Sequence, residues 1–209
     1  MKYLWLLLIS LAFAGPGASG QTPDPNCSDK ANELLERAWR AQPMNRVNND
    51  AAPSKAEALY EQALADSPKC RRASRLLVGL LIRRERYDEA SKYNERFLQL
   101  FPDDPGGLSQ KASLLVRLNN DYLRALEIET KLIDVPEFNN NGNVFYQMAR
   151  IYSLMKRLDE SLDYLKRAVS IEKGWADKGN AQTDLDFKNL RKDKRFWVLV
   201  KDLKLRTSD

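Results

Sequence analysis

An all-α fold is predicted, a right-handed superhelical solenoid of antiparallel helix hairpins, and three observations predict it. The first is self-similarity at a period of 34 residues: Ala56-x3-Tyr60-x2-Ala63-x4-Pro68 returns as Ala90-x3-Asn94-x2-Phe97-x4-Pro102. A third copy reads Ala125-x3-Glu129-x2-Leu132, with Pro136 one residue early. A fourth, Ser161-x3-Leu165-x2-Ala168, ends at Lys173 where the proline would stand. The second observation is helical spacing of apolar residues within each copy, which makes one face of every segment a candidate core. The third is proline at each boundary, where a residue without an N–H stops the preceding helix. A repeat of this length is too small to bury its own apolar face, so neighbours stack to complete it.

Each copy reads as two helices. In the last full copy Phe145, Met148 and Tyr152 form an apolar stripe, and Ala149 leaves room for the second helix to approach. Ala56, Ala90 and Ala125 supply the same clearance from the other side. Tyr87, Tyr122 and Leu158 stand at the start of the second helices, and Pro68, Pro102 and Pro136 close them. The middle copies, Ser74-x2-Leu77-Val78-x2-Leu81 and Ser109-x2-Ala112-Ser113-x2-Val116, lack the large leading aromatic. Phe145-x2-Met148-Ala149-x2-Tyr152 resembles the Trp-x2-Leu-Gly-x2-Tyr pattern of the tetratricopeptide repeat, with Ser161 and Leu165 following at that family's spacing. The resemblance covers roughly Ala56 to Leu205. It implies about four hairpin units (28–69, 70–104, 105–140 and 141–175) followed by C-terminal capping helices over 176–209.

The two ends of the chain carry their own signals. Lys2 followed by the apolar run Tyr3–Ala14 and the small residues Ala18-Ser19-Gly20 reads as a cleaved signal peptide over 1–20. Residues 21–27 are then a flexible lead-in. The run falls short of the roughly 20 residues a membrane span needs, although an uncleaved anchor is the rival reading. Cleavage removes Lys2 and takes the net charge from +5 to +4, which is mild. The expected location is therefore periplasmic or extracellular, with a bacterial origin. At the other end, Asp184-Leu185-Asp186-Phe187 through Phe196 resembles the segment that closes many bacterial tetratricopeptide arrays. There Asp184 or Asp186, and then Asp193, would cap short helices. Leu190, Phe196, Trp197, Leu199, Val200 and Leu203 would shield the end of the stack.

Cys27 and Cys70 are the only cysteines. Each precedes the first helix of a hairpin, which places both at one end of the stack, and with export allowing it a Cys27–Cys70 disulfide is predicted. Two free thiols are the alternative. Asn26-Cys27-Ser28 also fits a glycosylation sequon formally. Gln42–Pro53, with two prolines and three asparagines, is longer than a hairpin turn and reads as a loop, with Ser54 capping the next helix.

No catalytic chemistry is legible. With no histidine in the chain, His-based triads and His-ligated metal sites are absent, and the two cysteines form no Cys-x-x-Cys motif. Gly106-Gly107 is not a phosphate loop, and Asp103-Asp104 belongs to the turn that caps the following helix. No enzyme activity, cofactor or metal is expected.

The resemblance implies a scaffold in which first helices line a concave groove that holds extended peptides. Mapped onto this sequence, that groove takes Arg72, Arg75, Gly79 and Arg83, then Gln110, Leu114 and Arg117, then Asn143, Tyr146 and Arg150. Converging arginines suit an acidic protein segment or a terminal carboxylate. The lysine- and asparagine-rich set of the carboxylate-gripping members is not present. Arginines that simply keep a helix face soluble are the competing account. A structural or self-assembling envelope component, contacting partners through its convex face or ends, is the other functional class. Nucleic acid is disfavoured by the mild charge and stable membrane insertion by the short apolar run.

Overall fold

The computed structural model describes residues 24–41, 55–136, 141–171 and 180–205. The signal-peptide reading, the Gln42–Pro53 loop and the Ser54 cap lie outside the described residues. Among the described residues every regular element is helical, and no helix is long and apolar enough to cross a membrane. The chain divides into two compact units, one ending at Ala73 and the other starting at Ser74.

The first unit is a hairpin of α1 (Asp29–Ala41) and α2 (Lys55–Asp66). Ala31, Leu34, Leu35 and Ala38 recur at i, i+3, i+4 and i+7, and Ala56, Leu59, Tyr60 and Ala63 answer them; all eight are buried. The Ser28 hydroxyl caps α1 by accepting the Ala31 N–H at 3.0 Å, and it donates to Asp66 at the end of α2. Cys27 and Cys70 form a disulfide with Cα atoms 4.4 Å apart, tying the lead-in to the residue before α3 (Arg71–Arg83). Asp24 adds a carboxylate that accepts the Arg72 N–H at 2.9 Å.

The second unit continues α3 and adds α4 (Tyr87–Leu100), α5 (Pro105–Asn119), α6 (Tyr122–Ile133), α7 (Gly142–Leu154) and α8 (Leu158–Ile171). Tyr87, Tyr122 and Leu158 each occupy the first position of a second helix, as the repeat spacing predicts. Asp104 caps α5 through the Gly107 N–H at 2.8 Å with Pro105 at the first helical position, and Asp121 caps α6 through Arg124. Gly107 is a packing requirement: a Cβ there would stand 2.6 Å from the ring of buried Phe97 on α4.

Every hairpin turn in this unit uses the same device. Glu85, Asn120 and Lys156 have φ of 60°, 52° and 62°. The residue after each donates its N–H back across the turn: Arg86 to Leu81 and Arg157 to Tyr152, five residues earlier, and Asp121 to Leu115, six residues earlier, at 2.9–3.1 Å. With a left-handed residue before it, the five-residue bond is a Schellman closure and the Asp121 bond a wider form of it, each built here without glycine at a cost of about 1–2 kcal/mol per turn.

Two apolar clusters run through the unit. One joins α5, α6 and α7 through Ala112, Val116, Ala125, Leu126, Met148 and Ile151. The other joins α7 and α8 to a closing segment made of α9 (Asn180–Thr183), two 3-10 turns (Leu185–Lys188 and Leu190–Lys192) and α10 (Lys194–Leu205). Phe187, Leu190 and Phe196 of that segment are fully buried. The Ser161 hydroxyl donates to the Ala149 carbonyl at 2.7 Å, so the small residues at these two positions allow close approach and then lock it.

Candidate functional site: the arginine-bearing first helices

The arginines predicted to share one groove fall into separate environments. Arg72 belongs to the first unit. Its guanidinium reaches Glu36 of α1 at 3.3 Å, and only 14% of its side chain is exposed. In the second unit, Arg117 on α5 grips Asp186 with both terminal nitrogens, at 2.8 and 2.6 Å. Arg150 on α7 donates its Nε to the same carboxylate at 2.7 Å and its Nη1 to Gln147 at 2.7 Å. Arg150 Nε also stands 3.2 Å from Asp184, whose Oδ2 accepts the Tyr146 hydroxyl at 3.1 Å. Three of the predicted residues, Arg117, Tyr146 and Arg150, thus meet around the chain's own Asp184-Leu185-Asp186.

This arrangement is a dock for the closing segment. The Asp186 side chain is only 5% exposed and is neutralised by two guanidinium groups, one bidentate. Burial opposes the charge on Arg117, but the hydrogen bond and charge of Asp186 prevail and hold its pKa above the ordinary value. Burial and then the charge of Asp184 push the Tyr146 hydroxyl up as well. Phe187 follows Asp186 directly and meets the Tyr146 ring edge-on at 5.3 Å. Arg191 completes the dock by donating to the carbonyls of Gln182 and Asp184 at 3.0 and 2.6 Å. Asp184 caps the first 3-10 turn through the Asp186 N–H at 3.0 Å, while the Asp186 carboxylate serves the arginines.

A second constellation stays open. Arg75 on α3 is exposed and has no acidic partner among the described residues. Its side chain crosses Gly106, where a Cβ would stand 2.8 Å from Nε, and its carbonyl accepts the Gln110 Nε2 at 2.7 Å. Gln110 Oε1 is buried and without a partner among the described residues. Gly79 leaves the space into which Gln110 and exposed Arg83 extend, at 3.4 and 3.6 Å from a hypothetical Cβ. Leu114 is buried, and Asn143 at the start of α7 is half-buried with its N–H held by Asn141.

Sequence reasoning missed Glu129. It lies fully buried on α6, its Oε1 accepting the Ser109 hydroxyl at 2.9 Å and its Oε2 unpartnered among the described residues. A small space of about 10 Å3 beside it, bordered by Arg117, Arg150 and Asp186, has room for about one water. Burial pushes the Glu129 carboxyl up to about 8, against smaller opposing effects of Ser109 and Arg150. The folded state therefore keeps a proton that the unfolded chain releases near pH 4.5. Glu129 makes stability fall as pH rises from about 4.5 to about 8, by at most about 1.4 kcal/mol per unit, and then level off. In Glu129→Gln this component is expected to vanish. Parallel urea titrations of both proteins between pH 5 and 9 measure it as a difference in slope.

Comparison with known proteins agrees with the geometry. A tetratricopeptide-repeat model matches residues 50–114, and a second matches residues 142–174. The chain is a tetratricopeptide-repeat protein. Among solved structures it is similar to MamA, residues 41 to the end, from Desulfovibrio magneticus RS-1, with 15% identity and a TM-score of 0.55 over 88% of this chain and 99% of that one. It is equally similar to the MamA RS-1 ArsTM double mutant, with 14% identity and a TM-score of 0.54 over 88% and 98%. At such identity the likeness concerns the fold. No curated protein matches the chain. A tetratricopeptide-repeat chain is a scaffold for protein–protein interaction, and protein is the expected class of partner.

Proposed function

We propose that the protein is an exported, non-enzymatic adaptor that binds an extended, acidic protein segment along the first helices of its hairpins. The observation that carries the reading is the open constellation on α3 and α5. Arg75 offers a guanidinium with no acidic partner among the described residues, and Gln110 steadies it from α5 by donating to the Arg75 carbonyl. Gly106 gives the Arg75 side chain its path across α5, and Gly79 leaves room for Gln110 and Arg83. A guanidinium takes a carboxylate. Arg83 extends the cationic surface along α3. Arg117, Tyr146 and Arg150 support the same preference by example, since their partner within the chain is an Asp-x-Asp segment.

Phe187 and Leu190 anchor that segment in the core, so a partner would engage Arg75, Gln110 and Arg83 and leave the docked arginines in place. Export rests on the apolar N-terminus and agrees with the Cys27–Cys70 disulfide, which persists in oxidising compartments. A fluorescein-labelled peptide of alternating aspartate and serine provides the test, read by polarisation. Binding is expected to tighten at low salt and to weaken roughly tenfold or more in Arg75→Glu, whose helicity should be unchanged. Equal binding by both proteins, or by the asparagine version of the peptide, would reject acidic recognition at this face.

A further inference from the structure

Within each repeat one position of the second helix points into the protein, and its occupants are Tyr60, Asn94, Glu129 and Leu165, all buried. Asn94 departs from the pattern in an informative way. It is 2% exposed, and its Oδ1 has no hydrogen-bond partner among the described residues. An unpaired buried acceptor opposes folding, and a leucine would fill this position without that penalty, as Leu165 does. Asn94 also borders a cleft of about 410 Å3 between α4 and α5, walled by Leu98, Leu115 and Leu118 and flanked by Glu95 and Lys111. That volume lies within the range of ligand-holding sites, about 300–1,000 Å3.

We propose that this cleft is a second binding site, which seats one leucine-sized side chain of an extended protein segment and pairs the flanking peptide group with Asn94. The chemistry selects the occupant. A carboxamide carries an acceptor and a donor side by side, the complement of a peptide group, and its terminal torsion is soft enough to present either. A hydrocarbon chain would satisfy the leucines and leave the amide oxygen unpaired. Glu95 and Lys111 provide one charge of each sign at the rim, which suits a segment neutral at this point. The site rests on the reading that partners are proteins, but it is independent of Arg75, which does not line it.

The test uses the full chain with leucine methyl and asparagine side-chain amide NMR labels. The probe is acetyl-Gly-Leu-Gly-amide, set beside the same peptide with its leucine nitrogen methylated. Saturable shifts are expected at Leu115, Leu118 and the Asn94 amide, at least about tenfold weaker for the methylated peptide or in Asn94→Leu and unchanged in Arg75→Glu. Asn94→Leu should also melt higher than the natural protein. Shifts that never saturate, or equal binding by the methylated peptide and by Asn94→Leu, overturn the proposal. So do cleft resonances that respond to protein concentration or to phospholipid vesicles instead of the peptide, since the occupant would then be a second copy or a lipid. Loss of acidic-peptide binding in Arg75→Glu with this site silent would reject the cleft alone; the reverse would reject the acidic groove alone.

Discussion

Replacing Asp186 with alanine is expected to destabilise the second unit by about 3–5 kcal/mol, because two guanidinium groups would remain part-buried without their shared carboxylate. The size of the effect comes from the asymmetry of buried charge. The intact cluster need contribute little net stability, since three charged groups lose water to form it. Removing the central member leaves that desolvation in place and takes away the attraction. Arg117→Ala should cost less, as Asp186 keeps Arg150. The double variant should then cost less than the sum of the singles, which denaturant unfolding followed by circular dichroism would detect. A loss below about 1 kcal/mol in Asp186→Ala would mean that the cluster behaves like an exposed surface pair.

The second large effect belongs to the first unit. Opening the Cys27–Cys70 disulfide releases a loop of 43 residues' separation, for which chain entropy alone gives about 4 kcal/mol. The unit is a single hairpin whose described core is two short apolar faces, so the constraint is large relative to what the packing supplies. Calorimetry with and without a phosphine reductant, repeated on Cys27→Ser/Cys70→Ser, should show a transition that drops under reduction in the natural protein and is insensitive to reductant in the variant. Asp24 adds a smaller linked effect. Although burial raises its pKa, hydrogen bonds from Asn26 and Arg72 outweigh that and hold it below the ordinary value. Its contribution is present above the unfolded pKa and lost as pH falls through the folded one.

Local features of this fold were legible because local chemistry encodes them. Asp104 caps its helix through a hydrogen bond to the residue three positions on, and the prolines close helices by geometry. The turns were less legible. Left-handed residues at Glu85, Asn120 and Lys156 carry no glycine to mark them, and the hydrogen bonds of the residues after them, to Leu81, Leu115 and Tyr152, give them away. Asp186 was legible as an acid near a cap, but its partners lie 36 and 69 residues upstream, and no periodicity links an arginine to a carboxylate at such distances. Asn94 and Glu129 did leave a trace. Both are polar residues at a repeat position that Tyr60 and Leu165 fill with apolar bulk, and each has a buried oxygen without a partner among the described residues.

The proposed reading divides the labour among the arginines: Arg117 and Arg150 hold the closing segment, and Arg75 is left to a partner. Arginine Nε–H NMR resonances separate these roles in one titration with the aspartate–serine peptide. A saturable shift is expected at Arg75 while Arg117 and Arg150 stay where Asp186 holds them. Movement of Arg117 and Arg150 with Arg75 silent would contradict it, and would make the closing segment the partner's competitor.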